Sequence, residues 1–250
     1  MLLFRRTGEK ISEICDSVVF FFLFLGHFSY NFLLNSSQIK WRTTLFTTLR
    51  AGSWIVLPLV IITMLMGISL ALSIHFILAR YNLQNEALFI AQDSMIKDIA
   101  PLPIGFVLCV HCGLNLIDKN HPSLHQPPQT VLLETIIPLI VAMNITAILL
   151  YTYVCSAFYT SVFLAFNYFL HTNTDEYLIK LSRIINPLDI GLSIGKTMLL
   201  ATIASFIAGY YYYDVALRVL PTRKAVSRII TRGLFWLVVI SVLIKVYFTY

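Results

Sequence analysis

Long apolar runs alternate with short polar segments along this chain, and the lengths of the runs predict the elements. Two runs close the sequence, residues 190–213 and 229–248. A bilayer core is about 30 Å thick and a helix rises about 1.5 Å per residue, so about 20 mostly apolar residues cross it. Both runs meet that length. Residues 54–79 form a third, in which Pro58 and Gly67 are tolerable because bundled neighbours satisfy freed backbone groups. Gly67, Ser69, Ala71 and Ser73 make a small-residue patch suited to close helix contact. Residues 101–117 are a shorter apolar run. Residues 131–170 are charged only at Glu134 and exceed one crossing, so they read as one tilted span, near 136–158, with an extension beyond the membrane. Residues 18–25 are apolar, but Gly26, His27, Ser29 and Asn31 interrupt them, which predicts a helix lying in the interface. Glu9, Glu13 and Asp16 before that run, with no small-x-small site after it, argue against a signal peptide.

The polar segments orient the spans. Arg218, Arg223, Lys224, Arg228 and Arg232 face the single Asp214 around the last loop, and residues 35–53 carry Lys40, Arg42 and Arg50 without an acid. Short basic loops stay in the cytoplasm, so both segments read as inside. Residues 80–100 set Arg80 and Lys97 against Glu86, Asp93 and Asp98, and residues 171–189 set Lys180 and Arg183 against Asp175, Glu176 and Asp189. Both read as outside, the first with an amphipathic helical stretch. The expected fold is an all-α membrane protein: five transmembrane helices plus an N-terminal interfacial helix, near 54–79, 101–117, 136–158, 190–213 and 229–248. Residues 1–36 would be the cytoplasmic segment and interfacial helix, and 37–250 the transmembrane domain, with the C-terminus outside. No internal repeat or soluble domain is visible.

Composition agrees. Hydrophobic residues make up 58% and charged residues 12%, against roughly 25% charged in a soluble domain; mean hydropathy is +0.80. Lipid must solvate part of such a surface. The net charge of +6 sits largely in short flanking loops, so it orients spans and marks no nucleic-acid binder.

Candidate chemistry is sparse. Gly191 to Thr197 looks like a phosphate loop, but three residues separate Gly191 from Gly195 where the motif needs four, and it opens an apolar span. Lys196 is a headgroup candidate, weighed against a stem that snorkels to the interface. Cys109-Val110-His111-Cys112 has metal-ligand spacing, but a zinc site needs a second pair that Cys15 and Cys155 do not supply. These read as core residues, with His111 toward another helix or a cavity. His121 and His125, around Pro122, lack a carboxylate or Cys at a helical interval, so no metal is expected. Residues 210–213, four tyrosines, read as an aromatic belt. No triad, paired carboxylates or glycine-rich cofactor loop is present, so neither a catalytic residue nor a cofactor is expected.

Residues 225–232, Ala-Val-Ser-Arg-Ile-Ile-Thr-Arg, are similar to the G-V-G-R-A-T-T-R signature of the MlaE/YrbE permeases of MCE-associated ABC lipid transporters. The valine, both arginines and the second threonine are kept. Ile194-Gly195-Lys196-Thr197 resembles that family's L-I-K-S segment, Lys97-Asp98-Ile99-Ala100-Pro101 its R-E-L-G-P, and Ile137-Pro138 the proline opening its third span. The resemblance runs over about residues 40–250 in order and spacing of spans. It departs at Cys109 to Leu114, where the family has A-G-R-A-G-S and only Gly113 survives, and at residues 122–129, where a shorter segment with Pro127-Pro128 replaces a T-E-Q coupling run. The resemblance implies a homodimeric permease subunit of the bacterial inner membrane, enclosing a lipid-accessible cavity. Its partners would be an ABC ATPase in the cytoplasm, an MCE-domain lipid-binding protein in the periplasm, and membrane phospholipid as cargo. Lys97, Asp98 and Lys196 would meet the headgroup, Lys119, His121, Leu124 and His125 the ATPase, and Arg228, Thr231 and Arg232 are the signature residues. The altered loop motivates an alternative, a membrane scaffold of the same fold uncoupled from ATP hydrolysis.

Overall fold

Proline starts three of the helices and a left-handed residue stops two. The computed structural model describes residues 22–30, 41–83, 86–94, 99–118, 122–170, 177–179, 181 and 186–249, the side chains of 41–54 and 248–249 excepted. Helix α1 covers residues 22–30, α2 Trp41–Ala79, α3 Ala87–Ser94, α4 Pro101–Asn115, α5 Pro128–Phe169, α6 Pro187–Ala216 and α7 Thr222–Thr249. Helices α4, α5 and α6 each begin on proline, whose fixed φ and missing N–H suit a first turn. The Asn186 side chain caps α6 by accepting from the Leu188 N–H at 3.3 Å. Helices α2 and α6 end at Asn82 and Arg218, with φ of 57° and 58°. Past them the N–H groups of Leu83 and Val219 return to the carbonyls of Leu78 and Asp214, at 3.0 and 3.1 Å, closing a Schellman-type end. Asn takes this conformation readily, whereas for arginine it costs about 1–2 kcal/mol.

Four segments are long and apolar enough to cross a membrane: Ile55–Ala79 of α2, all of α5, all of α6, and Thr222–Tyr247 of α7. The chain is a multi-pass membrane protein. Within the run expected as a span over 101–117 lies the 15-residue α4, which ends where Leu116 and Ile117 turn back onto the carbonyls of Gly113 and Leu114. That helix is about 22 Å long, short of a crossing by itself. Residues 131–170 behave as one passage: α5 is an unbroken helix of 42 residues, with π-helical turns at Leu132–Ile136 and Ala165–Phe169. At about 63 Å it is longer than the hydrocarbon is thick, so it projects beyond it. Helix α3 lies in the stretch expected to be amphipathic and buries Ala87, Leu88, Ala91 and Gln92.

The order of packing is α2 on α5, α5 on α6, and α4 between α6 and α7. Lipid tails are as apolar as leucine, so helices here gain by close contact more than by escaping solvent. The stripes that make contact are narrow. On α2, Ile55, Leu59, Thr63, Gly67 and Ala71 are buried at every fourth position, and on α7 so are Ala225, Ile229, Gly233 and Leu237. A Cβ on Gly67 would lie 1.8 Å from Ser161 Oγ of α5, and one on Gly233 would lie 2.2 Å from Cys109 Sγ of α4. Of the small-residue patch expected on α2, Gly67 and Ala71 make contact while Ser69 and Ser73 are exposed. Helix α1 docks on α6 through Phe24, whose ring centroid lies 5.5, 5.8 and 5.6 Å from Phe206, Tyr210 and Tyr213.

Gly67→Leu should therefore lower the unfolding midpoint in detergent, by an amount equivalent to about 1–3 kcal/mol of overpacking. Gly195→Ala, where a Cβ meets nothing within 4 Å, should leave the midpoint unchanged or raise it. Equal midpoints for Gly67→Leu and the parent chain would contradict this crossing.

Candidate functional site

Helix α4 has two faces with different fates. Pro101, Ile104, Gly105, Leu108, Cys109, Cys112 and Gly113 form the buried stripe against α6 and α7. The opposite face, with Phe106, Val107, Val110, His111, Leu114 and Asn115, borders a groove of about 660 Å³ that Ile55 of α2 and Leu234 of α7 flank. His111 and Asn115 are the polar residues of this lining. They stand one turn apart, with His111 Nε2 and Asn115 Nδ2 at 3.1 Å. Apolar walls with a few placed polar groups, at this volume, are the usual form of a small-molecule site.

The end of α6 nearest the α6–α7 hairpin is closed by polar contacts. Tyr210, Tyr211, Tyr212 and Tyr213, expected as a lipid-facing belt, are all buried. The belt reading fails because α1, α4 and α7 surround these turns and a buried phenol needs a partner. The fully buried Tyr212 hydroxyl donates to the Cys112 carbonyl of α4. The Tyr211 hydroxyl accepts from Arg232 Nη1 of α7 at 2.8 Å. The Tyr213 hydroxyl lies 3.2 Å from His27 Nδ1 of α1. Tyr210 hydrogen-bonds Asp214, which also faces Arg228. One helix end thus holds three others.

Residues 131–250 match the family model for the permease MlaE. Over that stretch the chain is similar to the MlaE permeases. The matched part takes in α5 from Val131, α6 and α7, so the arginine network of α7 lies inside it, and the α4 wall of the groove lies upstream. No curated protein gives a match to the chain.

The site residues expected of an MlaE permease fall in several places. Lys97, Asp98, Lys119 and His121 lie outside the described residues. Lys196 is half-buried on α6. Gly105 meets Leu200 and Cys112 meets Tyr212, so α4 and α6 run parallel and Lys196 is level with the start of α4. Sixteen residues, about 24 Å along the axis, separate it from Tyr212, and it is not among the residues that line the groove. Leu124, in the turn Pro122–Leu124, packs into the core beside α6, while His125 is exposed. Arg228 faces Asp214, Arg232 holds Tyr211, and the exposed Thr231 donates to the Ser227 carbonyl at 2.7 Å. Sequence reasoning did not single out Asn115 or the groove walls Ile55, Phe106 and Leu234, and it read the tyrosines as a belt and Asp214 as the lone acid of the loop, without pairing them. Two signals were present: a His and an Asn four apart on an apolar helix, and an acid four after a tyrosine.

Tyr212→Phe should cost about 1 kcal/mol, since it strips the Cys112 carbonyl of its donor. A lowered unfolding midpoint checks this, with Tyr153→Phe, at 51% exposure, unchanged as the reference.

Proposed function

We propose that this chain is the permease subunit of an ABC-type lipid transporter of the MCE/Mla kind, moving phospholipid between the inner and outer membranes of a bacterial envelope. The groove on α4 carries the reading. It is apolar, open beside a membrane helix, and has one polar pair, as an acyl chain and its ester end require. The MlaE match over residues 131–250 supports the same class. In this reading the N-terminus and the α6–α7 hairpin lie in the cytoplasm, the C-terminus lies in the periplasm, and α4 with its flanking residues completes a fifth crossing. Two copies form the transporter. The sparse burial of α7, 17% of its most apolar window, supports a second chain beside it.

The chain hydrolyses nothing and needs no cofactor. An ABC ATPase supplies the work, by binding one conformation of the groove better than the other. Lys119, His121, Leu124 and His125 make its contact loop. An MCE-domain protein receives lipid at the opposite end, where Lys97, Asp98 and Lys196 meet the headgroup. Arg228, Thr231 and Arg232 brace the hairpin end.

One observation favours a second reading, a scaffold of the same fold that is uncoupled from ATP hydrolysis. The turn Pro122–Leu124 lies against α6 with Leu124 in the core, which leaves little of the loop to reach a partner. Two measurements separate the readings. Val110→Trp fills the groove and should cut lipid transfer in a reconstituted system by about tenfold, equal to about 1.4 kcal/mol, while leaving the ATPase bound. Transfer at the parent rate would rule out the groove as the path. Failure of the parent chain to retain any ATPase through purification would favour the scaffold.

A further inference from the structure

The tip of the α6–α7 hairpin carries cations with no acid to meet them among the described residues. Arg218, Arg223 and Lys224 are exposed. Asp214 is buried and faces Tyr210 and Arg228, and the first turn of α7 contains no acid. Arg232 is engaged with Tyr211. Two apolar side chains sit among the three remaining charges: Leu217 is 38% exposed and Val219 56%.

Depth makes this pattern specific. Helix α6 and Thr222–Tyr247 of α7 are both long and apolar enough to cross a membrane. The short tip between them therefore lies where hydrocarbon gives way to headgroups. Helix α1 packs on α6 below the tip, from Phe206 to Tyr213, about 8–18 Å along the axis from Arg218. Its Phe24 and Phe28 pack on Phe206 of α6, while Phe22, Leu23 and Tyr30 remain exposed, as in a helix lying along the interface. Arg218 also holds a left-handed backbone, φ 58°, that glycine would adopt without strain. Local stability is given up there for a cation at the tip.

We propose that the hairpin tip binds the headgroup of an anionic phospholipid. Arg218 and Arg223 donate from their guanidinium groups and Lys224 from its ammonium to the phosphate oxygens, which accept. Leu217 and Val219 seat among the first acyl carbons. An acidic protein surface would satisfy the charges alone, but the apolar side chains between them, at this depth, fit lipid. The site rests on α6 and α7 crossing the membrane, and does not depend on lipid being the transported cargo or on which way the chain faces.

The full chain in nanodiscs of phosphatidylcholine, with and without phosphatidylglycerol, tests this. The readouts are lipid retained on the protein by native mass spectrometry and the unfolding midpoint. The parent chain should retain phosphatidylglycerol in preference. Arg218→Gly should lose about fivefold of that preference, or about 1 kcal/mol for one cation at an anionic surface. Its midpoint in phosphatidylcholine alone should match or exceed the parent's, since the strain is relieved. Arg223→Gln with Lys224→Gln should lose more, and this pair decides the matter if Arg218→Gly folds poorly. An unchanged preference in the pair overturns the proposal. So does inorganic phosphate raising the midpoint as far as phosphatidylglycerol does, which would mean a free-anion site. Variants that keep the lipid but lose a co-purifying soluble partner would make the tip a protein dock and also overturn it.

Discussion

Close approach between helix backbones at a few small residues is the constraint on which the other features depend. In lipid an apolar side chain gains little by turning from solvent to neighbour, so association rests on contact distance and interhelical hydrogen bonds. Gly67 lets α2 lie directly on α5, and Gly233 gives room for Cys109 where α4 meets α7. The consequence for function is geometric. One face of α4 is pinned between α6 and α7, so its other face must look outward. That leaves Phe106, Val110 and Leu114 lining a groove, with Ile55 and Leu234 as its banks. The groove is what remains when a short helix is gripped from one side only.

The two ends of the bundle differ for a physical reason. At the hairpin end three buried phenols of α6, Tyr211, Tyr212 and Tyr213, find polar partners on α7, α4 and α1, which ties those helices to a single turn region. A polar group with no partner in hydrocarbon costs several kcal/mol, so such contacts are made together or not at all. Hydrogen bonds of this kind fix the rotation and height of each helix, where apolar contact would permit sliding. The groove lies beside this braced end. A rigid back wall with an open apolar front is a reasonable construction for a site that takes a flexible chain.

Segment length and polarity carried most of what was legible beforehand. The long passage of α5, the apolar reach of α2, α6 and α7, and the multi-pass class all follow from run length. The resemblance of residues 225–232 to the permease signature lies within the stretch that matches MlaE. Less was legible at the site. The apolar run over 101–117 is the helix Pro101–Asn115 with a closing turn at Leu116 and Ile117, and its length does not reveal the groove on one of its faces. Four tyrosines at a span end look like a belt, yet they are interior.

The sequence by itself determined which segments are helical and how far each reaches, because hydrocarbon leaves the backbone no other partner than its own helix. Only the tertiary structure decided which side of each helix is buried. A span that is apolar all round has no polar stripe to reveal its inner face. Its rotation is set by neighbours distant in sequence: Ser161 for Gly67, Cys109 for Gly233, and Cys112 for Tyr212.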